Sequence, residues 1–176
     1  MKMLKRKILS LMLILALALT LTACGDDTPE YTMKEETAGK LSFSVPSHFE
    51  LEYSGDGETS YSTQNARICI YRYSSLEIQT GFTDFVDELT APNFAEYIVK
   101  REGYNCEIDV SEDGTQAKYG FYHTDNAGKY YYFTNLIIGG EREIYMVVLS
   151  CYADKIDYYK EMFEDTLGSA KLTQNQ

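Results

Sequence analysis

Few side chains in this 176-residue sequence could do chemistry: two histidines, four cysteines and scattered carboxylates. A histidine needs a partner within reach before it can move a proton or hold a metal. His48 follows Pro46-Ser47 and reads as a solvated turn residue. His123 closes a strand on the parity of Tyr119 and Phe121, which predicts a half-buried, hydrogen-bonded imidazole. A zinc site needs three or four converging ligands. Neither the isolated histidines nor Cys69, Cys106 and Cys151, no two of them at ligand spacing, supply such a set. Asp84, Asp87 and Glu88 stand at helical neighbour spacing, where like charges repel, so a solvated face is expected. Asp109, Glu112 and Asp113 precede Gly114 as in a calcium loop, but the later ligands and the bidentate glutamate are missing, so a hairpin turn is expected instead. The sequence contains no zinc-protease helix, phosphate loop or Gly-x-Ser-x-Gly elbow. The chain therefore reads as non-enzymatic and without a cofactor. Catalysis would require the fold to bring His48 or His123 beside a nucleophile or carboxylate.

The fourth cysteine has a different setting. Lys2, Lys5, Arg6 and Lys7 precede the 14-residue apolar run Ile8 to Leu21, and Leu21-Thr22-Ala23-Cys24 follows. Positive, apolar, then small is the order of a secretory signal. An uncleaved spanning helix would need about 20 apolar residues, and this run is shorter and interrupted by Ser10 and Thr20. A plain secretory signal would leave Cys24 as a thiol without use. Leu21, Thr22 and Ala23 before Cys24 resemble the lipobox of bacterial lipoproteins. The resemblance implies cleavage after residue 23, diacylglycerol on Cys24, and a protein anchored by lipid at the extracytoplasmic face of a cell membrane. Two acyl chains hold a protein on a bilayer far better than one.

Such cleavage removes four cations and no acid, taking the net charge from −11 to −15. That balance disfavours nucleic acid as a partner. Residues 24–39, with Asp26, Asp27, Glu30, Glu35 and Glu36 and few apolar groups, read as a lipidated acidic tether. The three remaining cysteines permit at most one disulfide, and sequence does not choose among the pairings.

From Lys40 the hydrophobic period is two. Leu41, Phe43 and Val45 alternate with serines up to Pro46, and Phe49, Leu51 and Tyr53 alternate with Glu50 and Glu52. Ile68 and Ile70 oppose Cys69, Tyr71 and Tyr73, which predicts an inner strand covered on both sides. Helical spacing follows over Asn93 to Glu102, with Asn93 and Glu96 as a capping pair and Gly103 as the stop; residues 82–90 suggest a preceding helical turn. Cys106, Ile108 and Val110 are expected to point inward. Strands ending at His123, Ile138 and Tyr152 come next, the last apolar on both faces and hence central. A helix over Asp154 to Leu167 closes the chain, Ser169 to Leu172 add a short edge strand, and residues 173–176 form a polar tail. Short turns imply antiparallel pairing. The pattern predicts an α+β domain over residues 40–172, with a single antiparallel sheet of about six to seven strands flanked by helices.

Phe43-Ser44-Val45-Pro46 with Phe49, the Asp113-Gly114 turn and a closing helix near Gly168-Ser169 resemble the PsbP-like fold. That superfamily includes the extrinsic lumenal subunit of photosystem II, a Ran-binding import factor and bacterial lipoproteins. The resemblance implies an α-β-α sandwich and, since known roles are mostly docking, a binding module; it carries no functional residue. Sixteen tyrosines and no tryptophan, among them Tyr61, Tyr71, Tyr73, Tyr119, Tyr122 and Tyr130 to Tyr132 (Tyr131 on the face opposite its two neighbours), read first as strand formers whose hydroxyls reach solvent. The sharper reading is an exposed tyrosine patch ringed by acids and suited to a protein of the envelope. The alternative is a lipoprotein that binds a small ligand or a metal cation, which would require an enclosed pocket.

Overall fold

Alternation of apolar and polar residues dictates strands here, and the strands assemble around one long sheet. The structure, a computed structural model, describes residues 30–140 and 142–173. Strands β1 (Met33–Ala38), β2 (Leu41–Pro46), β3 (Glu50–Gly55), β4 (Glu58–Ser62) and β5 (Ala66–Ser74) lead into helices α1 (Ser75–Gly81) and α2 (Ala91–Glu102). Strands β6 (Ile108–Val110), β7 (Gln116–Thr124), β8 (Tyr130–Gly140) and β9 (Glu143–Tyr152) follow, then a 3-10 turn, helix α3 (Ile156–Ser169) and β10 (Lys171–Leu172).

The fold is α+β. Seven strands form an antiparallel sheet in the order β3-β4-β5-β9-β8-β7-β6, which puts β9 at the centre as its two apolar faces require. The strand Leu41–Pro46 does not join it. It lies in a second, three-stranded sheet, β1-β2-β10, held over the first face of the large sheet. Leu41, Phe43 and Val45 of β2 meet Ile68 and Ile70 of β5, Val147 and Leu149 of β9, and Met162, Phe163 and Leu167 of α3 in one core. Helices α1 and α2 cover part of the second face, where Ile78, Phe94 and Ala95 pack on Ala117, Tyr119, Ile137 and Ile144.

Several expectations change. Residues 33–38, expected within the tether, form β1 and pair with β2 from Met33↔Pro46 to Ala38↔Leu41. β1 is an edge strand that bonds through its backbone and leaves one row of side chains in solvent, so its composition resembles that of a linker. Just before β1, the Tyr31 hydroxyl donates to Asp165 Oδ2 at 2.7 Å and ties this segment to α3. Of the alternating set Phe49, Leu51 and Tyr53, only Phe49 is buried, because β3 is the outermost strand of its sheet. Val110 is 44% exposed for the same reason at the opposite edge.

The helix before α2 is displaced as well. It occupies Ser75–Gly81, where Ser74 Oγ accepts from the Glu77 amide at 3.2 Å and the Ser74 amide donates to Glu77 Oε2 at 2.7 Å, a reciprocal cap. Residues 82–90 are a loop whose Phe82 and Phe85 rings meet Phe94 edge-on at 5.3 and 5.6 Å. Helix α2 begins earlier than Asn93. Thr90 caps it, accepting from the Asn93 amide at 3.3 Å, and Pro92 is accommodated in the first turn, where no amide hydrogen is needed. Helix α3 continues through Gly168 to Ser169, whose hydroxyl accepts from the Ser44 amide at 2.7 Å and so ties the helix to β2.

Candidate docking surface

Strands β7 and β8 form a long hairpin, closed by a turn that Asp125 organises. Asp125 Oδ1 accepts from the amides of Ala127 and Lys129 at 2.9 and 2.8 Å, and Gly128 takes the left-handed φ of +79° that the turn requires. The register opposes Phe121 to Phe133, Tyr122 to Tyr132, His123 to Tyr131 and Thr124 to Tyr130. The pleat then sorts the rings onto two faces. On the first face Tyr122 stacks on Tyr130 at 5.4 Å and lies 5.1 Å from Tyr132. Tyr132 lies across Gly120, where a β-carbon would come within 2.9 Å of its hydroxyl. On the second face Phe121 stacks on Phe133 at 5.1 Å and on Tyr104 at 3.7 Å, while Tyr131 stacks on Tyr152 of β9 at 5.1 Å. Tyr122 and Tyr130 are each 53% exposed, a large open aromatic area.

Charge is sparse and mixed at this end. The Lys129 ammonium sits 5.6 Å over the Tyr152 ring and 3.4 Å from its hydroxyl. The hydrogen bond to Tyr152 raises the Lys129 pKa above the ordinary lysine value. Burial, and then the Tyr152 hydrogen bond, push the Tyr131 phenol up. Burial also raises Tyr132, with Glu164 adding to it.

The tyrosines named from the sequence separate by burial. Tyr61 and Tyr119 are core residues, 2% and 3% exposed. Burial and the nearby Glu36 push the Tyr61 phenol up to about 12. Tyr71 and Tyr73 stack at 6.3 Å and are half-buried. Tyr122, Tyr130 and Tyr132 come together on one face while Tyr131 lies on the other with Tyr152, and the charge near them is mixed rather than a ring of acids. Tyr104 and Tyr152, which the sequence reading did not connect to them, complete the cluster. The signal available was parity: Tyr152 sits across from Tyr131 in the β8–β9 register.

Other candidates disperse. His48 is exposed in the turn before β3, its ring 5.1 Å from Phe49. His123 is exposed rather than half-buried, because the hairpin runs beyond the covered part of the sheet. Asp84, Asp87 and Glu88 lie in the loop before α2 and not on a helical turn; Asp84 accepts from the Tyr97 hydroxyl, which holds its carboxyl below the usual range. Asp113 closes a hairpin turn, accepting from Ser111 Oγ at 2.7 Å and from the Thr115 amide at 3.0 Å. Among the described residues no three His, Cys, Asp or Glu side chains converge on a point where a cation could sit. Cys69, Cys106 and Cys151 are unbonded, and burial raises all three thiols, Cys151 to about 11. The grooves are open: one of about 220 Å³ between Gly39, Asp56 and Arg72, another of about 670 Å³ across the outer face of the small sheet. Leu21, Thr22, Ala23 and Cys24 lie outside the described residues, and among those described no helix is long and apolar enough to cross a membrane.

No protein-family model and no curated protein matches the sequence. Solved structures do resemble this one. A protein from Bacteroides thetaiotaomicron is 10% identical with a TM-score of 0.54, over 81% of this chain and 48% of its own. This chain thus spans about half the length of that protein, and the likeness is one of fold. Cyanobacterial PsbP (CyanoP) from Synechocystis is 14% identical over 81% of this chain and 92% of its own, with a TM-score of 0.48. LpqN of Mycobacterium tuberculosis, a protein involved in cell envelope biogenesis, is 10% identical over 83% of this chain and 93% of its own, with a TM-score of 0.42.

Proposed function

We propose that this chain is a non-enzymatic protein-binding module of the cell envelope, held at the extracytoplasmic face of a membrane by lipid on Cys24, and that it docks through the aromatic end of the β7–β8 hairpin. One observation carries the docking surface: Tyr122 and Tyr130 stack on each other while each leaves 53% of its surface in water. Tyrosine offers a large rigid ring and a neutral hydroxyl at little entropic cost, which is why it is enriched at interface centres. Neighbouring Tyr132, Tyr131 and Tyr152 extend the surface onto both sides of the hairpin.

The anchor rests on the sequence alone, on the layout of Lys2 to Cys24. Mass spectrometry of the native protein tests it: a diacylated N-terminal Cys24 is expected, and a bare thiol or a retained leader overturns it. Docking is tested in the intact membrane. A photo-crosslinking amino acid at position 122 or 130 is expected to capture a discrete protein adduct, and one at position 160, on exposed α3, to capture none. Equal capture at all three positions, or capture at none, overturns the reading.

A further inference from the structure

The far edge of the large sheet has features that the aromatic end does not explain. Among the described residues β3 pairs with β4 alone, and every one of its residues, Glu50 to Gly55, is exposed. An edge strand presents an unpaired row of amide hydrogens and carbonyls that another extended segment can complete. Leu51 and Tyr53 are 57% and 44% exposed. The pairing skips a residue between them, so that Leu51 faces Tyr61 and Tyr53 faces Ser60. In a regular strand residues two apart share a face. The bulge instead sets one large apolar side chain on each side of the free row.

Charge narrows what could lie there. From Glu50 to Glu58 the chain carries Glu50, Glu52, Asp56 and Glu58 and no lysine or arginine. Among the described residues, Arg67 is the cation that pairs with the strand, 3.2 Å from Glu52, and both partners are half in solvent. A pair so exposed is weak. A second copy of β3 would set glutamate against glutamate, and like charges directly opposed destabilise a strand pair.

We propose that the free edge of β3 takes up a basic, extended peptide segment of a partner as an eighth strand. Main-chain hydrogen bonds to β3 supply the attachment. Side-chain alternation supplies the selection: lysines on one face meet Glu50 and Glu52 and lie along Tyr53, while apolar residues on the other face meet Leu51. This surface belongs to the opposite half of the sheet from Tyr122 and Tyr130, and its failure would leave the aromatic reading intact.

Hydrogen exchange on the full chain in detergent tests the proposal, with a peptide of alternating lysine and valine about ten residues long as the probe, enough to span β3. Amide exchange over residues 50–55 is expected to slow about tenfold with this peptide at saturation, a local stabilisation of the edge. A glutamate–valine peptide is expected to change nothing. The double variant Glu50→Lys, Glu52→Lys is expected to reverse that preference, and because both side chains are exposed the fold persists. Equal response to the two peptides, protection elsewhere than residues 50–55, or slowing of those amides by self-association without peptide would each overturn it.

Discussion

Strand β8 is two environments on one backbone. From Thr134 to Ile138 every residue is buried; toward the hairpin turn the burial falls away, with Phe133, Tyr132 and Tyr131 half-buried and Tyr130 exposed. Composition does not distinguish the halves, since β-branched and aromatic residues favour strands in either place. Cover distinguishes them. Where a helix lies above the sheet an aromatic ring is core; where none does, the same ring is surface available to a partner.

Truncation should separate the halves most sharply. Phe163→Ala opens a cavity in the core beneath α3, where the ring is 1% exposed and stacks on Tyr159; chemical denaturation is expected to show a loss of about 3–5 kcal/mol. A similar loss for Tyr130→Ala would mean the hairpin end is core after all. Its stability is expected to change by less than about 0.5 kcal/mol, with the effect appearing only in partner capture.

Smaller effects refine the covered half. Gly139 has φ of +121°, and a β-carbon there would come within 2.5 Å of the Glu143 carbonyl. Gly139→Ala is expected to cost about 1–3 kcal/mol by backbone strain, measured by thermal unfolding. Thr90→Ala removes the α2 cap and should cost about 1 kcal/mol, with faster exchange at the Asn93 amide as its local sign.

Alkaline titration reports on the same burial. The Cys151 thiol is raised from 9.0 to about 11 by burial, and the nearby Asp154 adds to it. The folded state holds this proton more tightly than the unfolded chain. Its stabilising contribution is complete below pH 9.0 and is lost as pH rises toward about 11. Denaturation midpoints are expected to fall over that window, and Cys151→Ser should flatten part of the decline. At neutral pH, alkylation mapped by mass spectrometry should reach half-buried Cys106 before Cys69 or Cys151.

Much of the covered half was legible from the residues. Ile68 and Ile70 against Cys69 and Tyr71, and the doubly apolar run of β9, marked inner and central strands because a strand buried on both faces has no polar row. The uncovered parts were less legible. β3 and β6 carry the alternation of half-buried strands, yet they stand at the edges, and Leu51 and Val110 are exposed. Periodicity records which side chains share a face and is silent on whether anything lies above that face. The residues of β1 escaped for the converse reason: they pair through the backbone while their side chains read as linker. The Ser74–Glu77 cap was present in the sequence, but Phe82, Phe85 and Leu89 at helical spacing drew the helix one segment too far along the chain.

The amino-acid sequence by itself determined most of the strands from Leu41 onward, the two longer helices, the antiparallel order implied by short turns, which side chains share a face, and the leader-like layout ending at Cys24. These follow from local terms: pleat and helix period, turn chemistry and charge. Only the tertiary structure decided that β2 leaves the large sheet for a small one, that Tyr61 and Tyr119 are core while Tyr122 and Tyr130 are surface, and that Tyr104 and Tyr152 join the hairpin end. Those outcomes depend on which element covers which, a contest among segments far apart in the chain, and burial belongs to the assembled packing rather than to any residue alone.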